Sequence, residues 1–191
     1  MPMLPTLHTA RLTLRPFTLA DSDAVERLAG HEAVARTAAN IPHPYPEGAA
    51  KTWIATHQPG FERGKLIAFA VESRSTGELM GCVSMGLHLP DLRGELGYWM
   101  GFDFWNQGYT TEATRECMRF AFKHFHLAKI GGGFYSTNPS SGRVMEKLGM
   151  RREGYRRRHM MKNGVLMDLV EYGILREEFF AAAPIPGAVH P

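Results

Sequence analysis

The stretch Trp105-Asn106-Gln107-Gly108-Tyr109-Thr110-Thr111-Glu112-Ala113 holds residue types that can grip an anion. It joins a predicted strand to the start of a predicted helix, where several backbone N–H groups lack intrahelical partners and point one way. The helix dipole favours negative charge at that end. Gly108 lets the main chain approach a bulky anion closely, and the hydroxyls of Thr110 and Thr111 can cap the helix or donate. A diphosphate suits this chemistry. One glycine ahead of a helix is equally the mark of an ordinary loop, so this segment alone decides nothing.

The elements that must position it follow from patterning. Residues 11–15 alternate polar and apolar and read as a strand. Thr18 and Asp21 have capping-box spacing and open a helix through Leu28. Residues 36–45, with Pro42, Pro44 and Pro46 close by, read as loop, and a second helix begins near Glu47 and includes Trp53 and Ile54. Strands at 66–72 and 79–87 flank the turn Ser75-Thr76-Gly77, and another at 94–102 follows a loop at 90–93. Beyond Gly108 the period changes: Ala113, Cys117, Phe120 and Ala121 recur at three and four, a buried helix face. A strand at 130–136 and a helix at 140–148 ending at Gly149 come next. Asn163-Gly164 then makes a hairpin turn between 155–162 and 165–175. The order predicts a mixed α/β fold in which an antiparallel meander precedes one crossover helix.

The chain has 191 residues, 44% hydrophobic and 21% charged, which predicts one globular domain and excludes wholesale disorder. No uncharged apolar run reaches the ~18 residues of a membrane span. Pro2, Pro5 and His8 stand where a secretory signal would need an apolar stretch. Cys82 and Cys117 are the only cysteines, which argues against a disulfide framework or a four-cysteine zinc site and for a reducing cytoplasm. None of the nine histidines has metal-ligand spacing. A net charge of +3 is too mild for a dedicated nucleic-acid binder. Its excess gathers at Arg151, Arg152, Arg156, Arg157 and Arg158, either an exposed strand face or an attraction for an anionic partner.

Several motifs in fixed order carry a family resemblance. These are Leu7, Thr9, Arg11, Leu12, Leu14 and Arg15 at the start, Gly97-Tyr98-Trp99, the Trp105–Ala113 segment, and Asn138, Ser141, Val144, Glu146-Lys147-Leu148-Gly149-Met150. Asn163-Gly164, Asp168, Tyr172, Leu175, Glu177 and Glu178 complete the set. Together they resemble the GNAT N-acyltransferase superfamily, in particular its Rim-type ribosomal-protein N-acetyltransferases. Asn106-Gln107 departs from the commoner Gly-Lys, Thr110 from a small residue and Met150 from Phe. The resemblance covers residues 7–180 as one acetyltransferase domain, leaving 181–191 as a flexible tail.

That resemblance implies a mixed, mostly antiparallel sheet of about seven strands, splayed between the fourth and fifth and flanked by about four helices. Acetyl-CoA would be the cosubstrate, with no metal. Backbone groups of Met100, Gly101 and Phe102 would meet pantetheine, the amides of Gln107, Gly108, Tyr109, Thr110 and Thr111 the diphosphate, and Asn138 the pantetheine arm. Transfer to a primary amine would be direct, with Glu95 or a water chain as base and Ser141 as proton donor to the departing thiolate. Glu95 could instead pair with Arg93, and Ser141 could simply cap a helix. Deprotonating a lysine-like amine at pH 7 costs ~4.6 kcal/mol and an α-amine only ~1 kcal/mol, so an α-amine demands less of the base. A protein N-terminus such as that of a ribosomal protein, an antibiotic, a polyamine or an amino acid would serve as acceptor. The loop at 36–45 and the terminal hairpin would wall the acceptor site. Trp53 would join that wall and Trp99 and Trp105 flank the cofactor strand, or each could simply pack in the core, and Glu32, Glu47, Asp91 and Asp168 could make the pocket mildly acidic. A homodimer follows by analogy alone. The competing readings are a catalytically silent acyl-CoA-binding module and a ribosome-associated protein using the arginine strip.

Overall fold

A computed structural model describes residues 3–181, and one eight-stranded sheet organises them. Its strands are β1 (Leu7–His8), β2 (Leu12–Pro16), β3 (Leu66–Ser73), β4 (Leu79–His88), β5 (Arg93–Met100), β6 (Lys129–Tyr135), β7 (Arg151–Lys162) and β8 (Val165–Leu175). Their spatial order is β1-β2-β3-β4-β5-β6-β8-β7. Neighbours run antiparallel except β5 and β6, which are parallel because a helix crosses between them. Seven α-helices accompany the sheet among the described residues: α1 (Ser22–Ala29), α2 (Glu32–Thr37), α3 (Ala49–Ala55), α4 (His57–Glu62), α5 (Tyr109–His124), α6 (Pro139–Lys147) and α7 (Arg176–Ala181).

Local chemistry accounts for the boundaries. The capping box at Thr18 and Asp21 is formed, but it opens a short 3-10 turn that runs on into α1. Asn163 and Gly164 both take positive φ, 48° and 79°, which matches a two-residue turn to the twist of β7 and β8. Gly149 closes α6 at φ 85°.

Five expectations need correction. The expected loop at 36–45 starts later, since α2 continues to Thr37. The strand expected to reach Phe102 stops at Met100, where Phe102–Phe104 turn into a 3-10 helix. The hairpin's first strand begins at Arg151, and the two-residue strand β1, paired to β2, raises the strand count to eight. The helices number seven because α2, α4 and α7 are only six residues each, and α4 hides behind Pro59-Gly60. A proline in a helix's first turn removes no intrahelical hydrogen bond, so α4 tolerates it. The tail expected at 181–191 lies outside the described residues except for Ala181, which ends α7.

Two apolar cores lie on opposite faces of the sheet. Ala113, Cys117, Met118, Ala121 and Phe122 of α5 pack on Leu12, Leu14, Ile67, Phe69 and Met85, joined by Met145 of α6. On the other face Val25, Leu28 and Ala29 of α1 and Ala50 and Ile54 of α3 cover Ala70 and Leu79, with Trp53 and Trp99 against them. Strand β7 forms one edge of the sheet, and its exposed arginines blunt that edge against pairing with another chain. Arg151 and Arg156 are partly matched, to Glu178 at 3.1 Å and Glu171 at 2.8 Å.

Candidate active site

β5 and β6 stay paired only from Arg93↔Lys129 to Leu96↔Gly132, and beyond that register they part. Which backbone groups face the gap follows from one hydrogen bond. Gly101 N–H donates to Met80 C=O at 2.8 Å, so in the alternating antiparallel ladder residues 97, 99 and 101 turn their polar groups toward β4. Tyr98 and Met100 then turn theirs toward the gap. Met100 C=O already accepts from Trp105 Nε1 at 2.7 Å, leaving Tyr98 N–H, Tyr98 C=O and Met100 N–H open among the described residues. Of the three residues expected along a pantetheine arm, only Met100 presents its amide here. Gly101 uses its amide within the sheet, and Phe102 is exposed, its ring stacked on His31 at 4.9 Å.

The turn ahead of α5 lies at the open end of this gap. The first hydrogen bond of α5 runs from Glu112 N–H to Gly108 C=O, and the amides of Gln107, Gly108, Tyr109, Thr110 and Thr111 have no partner among the described residues. Gly108 sits at φ 82° and Asn106 at φ 61°. The departure from Gly at position 106 thus has a physical reason: Asn is the non-glycine residue that best tolerates this left-handed conformation. Arg11 fastens the turn from outside. Its Nη1 donates to Gln107 C=O at 3.0 Å, its Nε to Glu112 at 2.7 Å, and its guanidinium lies 4.3 Å from the centre of the Tyr109 ring. Gln107 Nε2 donates to Asp103 C=O at 2.9 Å, which braces the same turn.

The two faces of the gap carry different chemistry. Toward α6, the Tyr98 hydroxyl is 2.7 Å from Ser141 Oγ and also donates to Ser141 C=O at 3.1 Å. Burial pushes the Tyr98 phenol up to about 12, against the pull of the Ser141 hydroxyl, so it stays protonated at neutral pH. On the opposite face stand Glu95 and Trp99. Glu95 reaches solvent, but its carboxylate lies over Gly131 and is partly desolvated. That desolvation, with Glu171 adding to it, raises its pKa above the usual carboxylate value, while Arg93, His88 and Arg156 act the other way. A cleft of about 760 Å³ joins both faces. Glu95, Met100, Gly108, Thr110, Thr111, Asn138 and Ser141 all line it, whereas Gly101, Phe102, Gln107 and Tyr109 do not.

Beyond Glu95 the cleft wall is aromatic. The Trp53 and Trp99 ring centres are 6.5 Å apart, and Trp53 packs edge-on to His57 at 4.3 Å. Lys162, near the tip of the β7–β8 hairpin, donates to Ala38 C=O at 2.8 Å and Ile41 C=O at 2.6 Å, tying the hairpin to the loop after α2. Glu32, Glu47, Asp91 and Asp168 do not line the cleft, which corrects the expectation of an acidic pocket. The expected readings overlooked Tyr98, Arg11 and Lys162 as parts of the site. The first two stand inside quoted motifs, and alternation along β5 separates Tyr98 from Glu95, but nothing local marks Lys162. Among the described residues no group of three or more His, Cys, Asp or Glu could hold a metal ion.

A model of the acetyltransferase (GNAT) domain matches residues 11–151. The chain belongs to the GNAT acetyltransferases. It is 28% identical to the uncharacterized N-acetyltransferase YoaA of Bacillus subtilis over 91% of this chain and 98% of that protein. A GNAT-family acetyltransferase from Bacillus anthracis superposes with a TM-score of 0.81 at 26% identity, covering 91% of this chain and all of that one. Mycobacterium smegmatis RimJ, solved with a CoA disulfide, shares the fold at a TM-score of 0.80 and 20% identity, over 96% of this chain and 90% of its own. This GNAT acetyltransferase is an acetyl-CoA-dependent enzyme with Rim-type structural neighbours. No helix among its described residues is long and apolar enough to cross a membrane.

Proposed function

We propose that residues 7–180 move an acetyl group from acetyl-CoA directly to a primary amine, either a protein N-terminus or a small molecule, across the gap between β5 and β6. The single observation carrying this reading is a pair of backbone sets on one cleft whose donors and acceptors have no partner among the described residues. One set is at Tyr98 and Met100 on the open edge of β5, and the other is the amides of 107–111. An extended amide-bearing arm ending in a diphosphate is the ligand such a pair fits, because it offers strand-like pairing and then an anion nest. Thr110 and Asn138 line the same cleft.

The two faces then divide the proton work. Glu95, with its raised pKa, is the group to accept a proton from the incoming ammonium, directly or through water. Ser141, backed by Tyr98, is the donor toward the departing thiolate. An α-amine, needing only ~1 kcal/mol for deprotonation at pH 7, is the acceptor type this modest machinery suits best. Two buried free thiols and the family analogy support a cytoplasmic protein and a homodimer within the same reading.

Calorimetry with acetyl-CoA and coenzyme A tests the first half, and absence of binding would end the proposal. Glu95→Gln tests the second: turnover at pH 7 should fall at least tenfold with little change in KM for acetyl-CoA. Unchanged turnover would remove Glu95 from the chemistry.

A further inference from the structure

We infer that the acceptor is a primary amine carried on an apolar body, and not a polyamine or other polycation. This rests on the acetyl-transfer reading above. On the Glu95 face of the sheet Val34, Ile41, Trp53, Trp99 and Met160 line an apolar wall, interrupted by the uncharged polar side chains of Thr37, Asn40 and Tyr45. Among the described residues Glu95 is the one carboxylate lining the cleft, and the cleft's only cations, Arg143 and Lys147, lie on α6 at the other face. His57 backs Trp53 from within the core, where burial holds its pKa down to about 4, so it adds no charge at neutral pH. Lys162 turns its ammonium into the carbonyls of Ala38 and Ile41. The Glu171 carboxylate, which also faces Glu95, is paired with Arg156 at 2.8 Å.

One carboxylate matches one ammonium. The second ammonium of a diamine would lie against tryptophan and aliphatic side chains with no second carboxylate to match it, and a charge so placed is costly. A methylene in the same place gains by leaving water, by about fourfold in affinity for each one buried. The fixed wall, held at the loop by Lys162, means this preference is built before the acceptor arrives.

The test compares propylamine, butylamine, pentylamine and hexylamine, which differ in apolar length and hardly in basicity, with 1,4-diaminobutane and 1,6-diaminohexane at saturating acetyl-CoA. The peptides Leu-Ala-Ala and Lys-Ala-Ala are run beside them, and release of coenzyme A is followed in each case. We expect kcat/KM to climb about threefold to fourfold per methylene. Hexylamine should exceed 1,6-diaminohexane, and Leu-Ala-Ala should exceed Lys-Ala-Ala, by at least tenfold. Met160→Glu, a change on the half-exposed hairpin, should shrink both gaps and leave KM for acetyl-CoA unaltered. Diamines or Lys-Ala-Ala reacting as well as their apolar counterparts would overturn this inference while leaving acetyl transfer intact. Binding of acetyl-CoA with no transfer to any of these amines would overturn the transfer reading, and the acceptor preference with it.

Discussion

Arg11 Nε donates to Glu112 Oε2 at 2.7 Å, joining residues 101 apart in sequence at the first turn of α5. The same carboxylate accepts from Thr9 Oγ1 at 2.6 Å and from Arg11 N–H at 2.9 Å. Burial works to raise the Glu112 pKa, but these donors together hold it below the ordinary value. A negative charge beside the proposed diphosphate nest is thereby matched within the protein and does not repel the ligand.

Arg11→Ala should therefore raise KM for acetyl-CoA about tenfold, equivalent to ~1.4 kcal/mol, with kcat nearly unchanged. Lysine at this position should recover only part of the loss, because one ammonium cannot reach Gln107 C=O and Glu112 together as the guanidinium fork does. Initial rates against acetyl-CoA concentration decide it, and an unaltered KM would refute the role.

Glu95 must be ionised to accept a proton, so the rate should fall as pH drops through its raised pKa. Neighbouring charges set where that happens. Arg93→Gln removes a charge that lowers the pKa and should move the acid limb of the kcat profile to higher pH. Glu171→Gln removes one that raises it and should move the limb the opposite way. An acid limb that ignores both changes belongs to some other group.

The Tyr98–Ser141 pair offers a separate test. Ser141→Ala should reduce kcat on the order of 10- to 100-fold if its hydroxyl protonates the leaving sulfur. Tyr98→Phe should reproduce most of that loss if the phenol feeds the serine, and should leave kcat intact if it only props α6 against β5. Stopped-flow single turnovers separate this loss from slow product release.

His57 predicts a stability effect remote from catalysis. Both ring nitrogens are buried without partners among the described residues, and burial lowers its pKa from 6.5 to about 4. The unfolded chain therefore binds this proton more readily, so the protein loses stability as pH falls from 6.5 toward 4, by about 2 kcal/mol at pH 5. His57→Leu should be within about 1 kcal/mol of the parent at pH 7, since it removes two unsatisfied polar atoms, and should abolish this slope. Urea titrations at pH 7 and pH 5 measure both quantities.

The parts of this protein legible in the sequence are those governed by neighbours in the chain. The Thr18–Asp21 cap, the Asn163-Gly164 turn and the three-four spacing from Ala113 to Ala121 each encode a local conformation, and so does the amide turn at Gly108. Helix α4 escaped because Pro59-Gly60 resembles a break, although proline is harmless in a first turn. The strand reaching toward Phe102 was overextended because an aromatic after Gly101 looks like more strand, whereas Gly101 leads into a turn. The chemistry of the acceptor wall is the least legible feature, although the loop at 36–45 and the hairpin are expected to form it. The wall is assembled from α2, the following loop, α3 and β7, segments distant in sequence, so its apolar character appears only once they meet, and the scattered acids Glu32, Glu47, Asp91 and Asp168 suggested the opposite charge.

The clasp of Lys162 on Ala38 and Ile41 joins the hairpin tip and the loop after α2 into one unit, seated beside a frame formed by β5, β6 and α5. Diversification can thus proceed by exchanging that unit whole. A chimera carrying both halves from a relative would inherit its donor's amine preference and keep its own nucleotide grip, whereas grafting either half alone would strand the lysine or the carbonyls it serves.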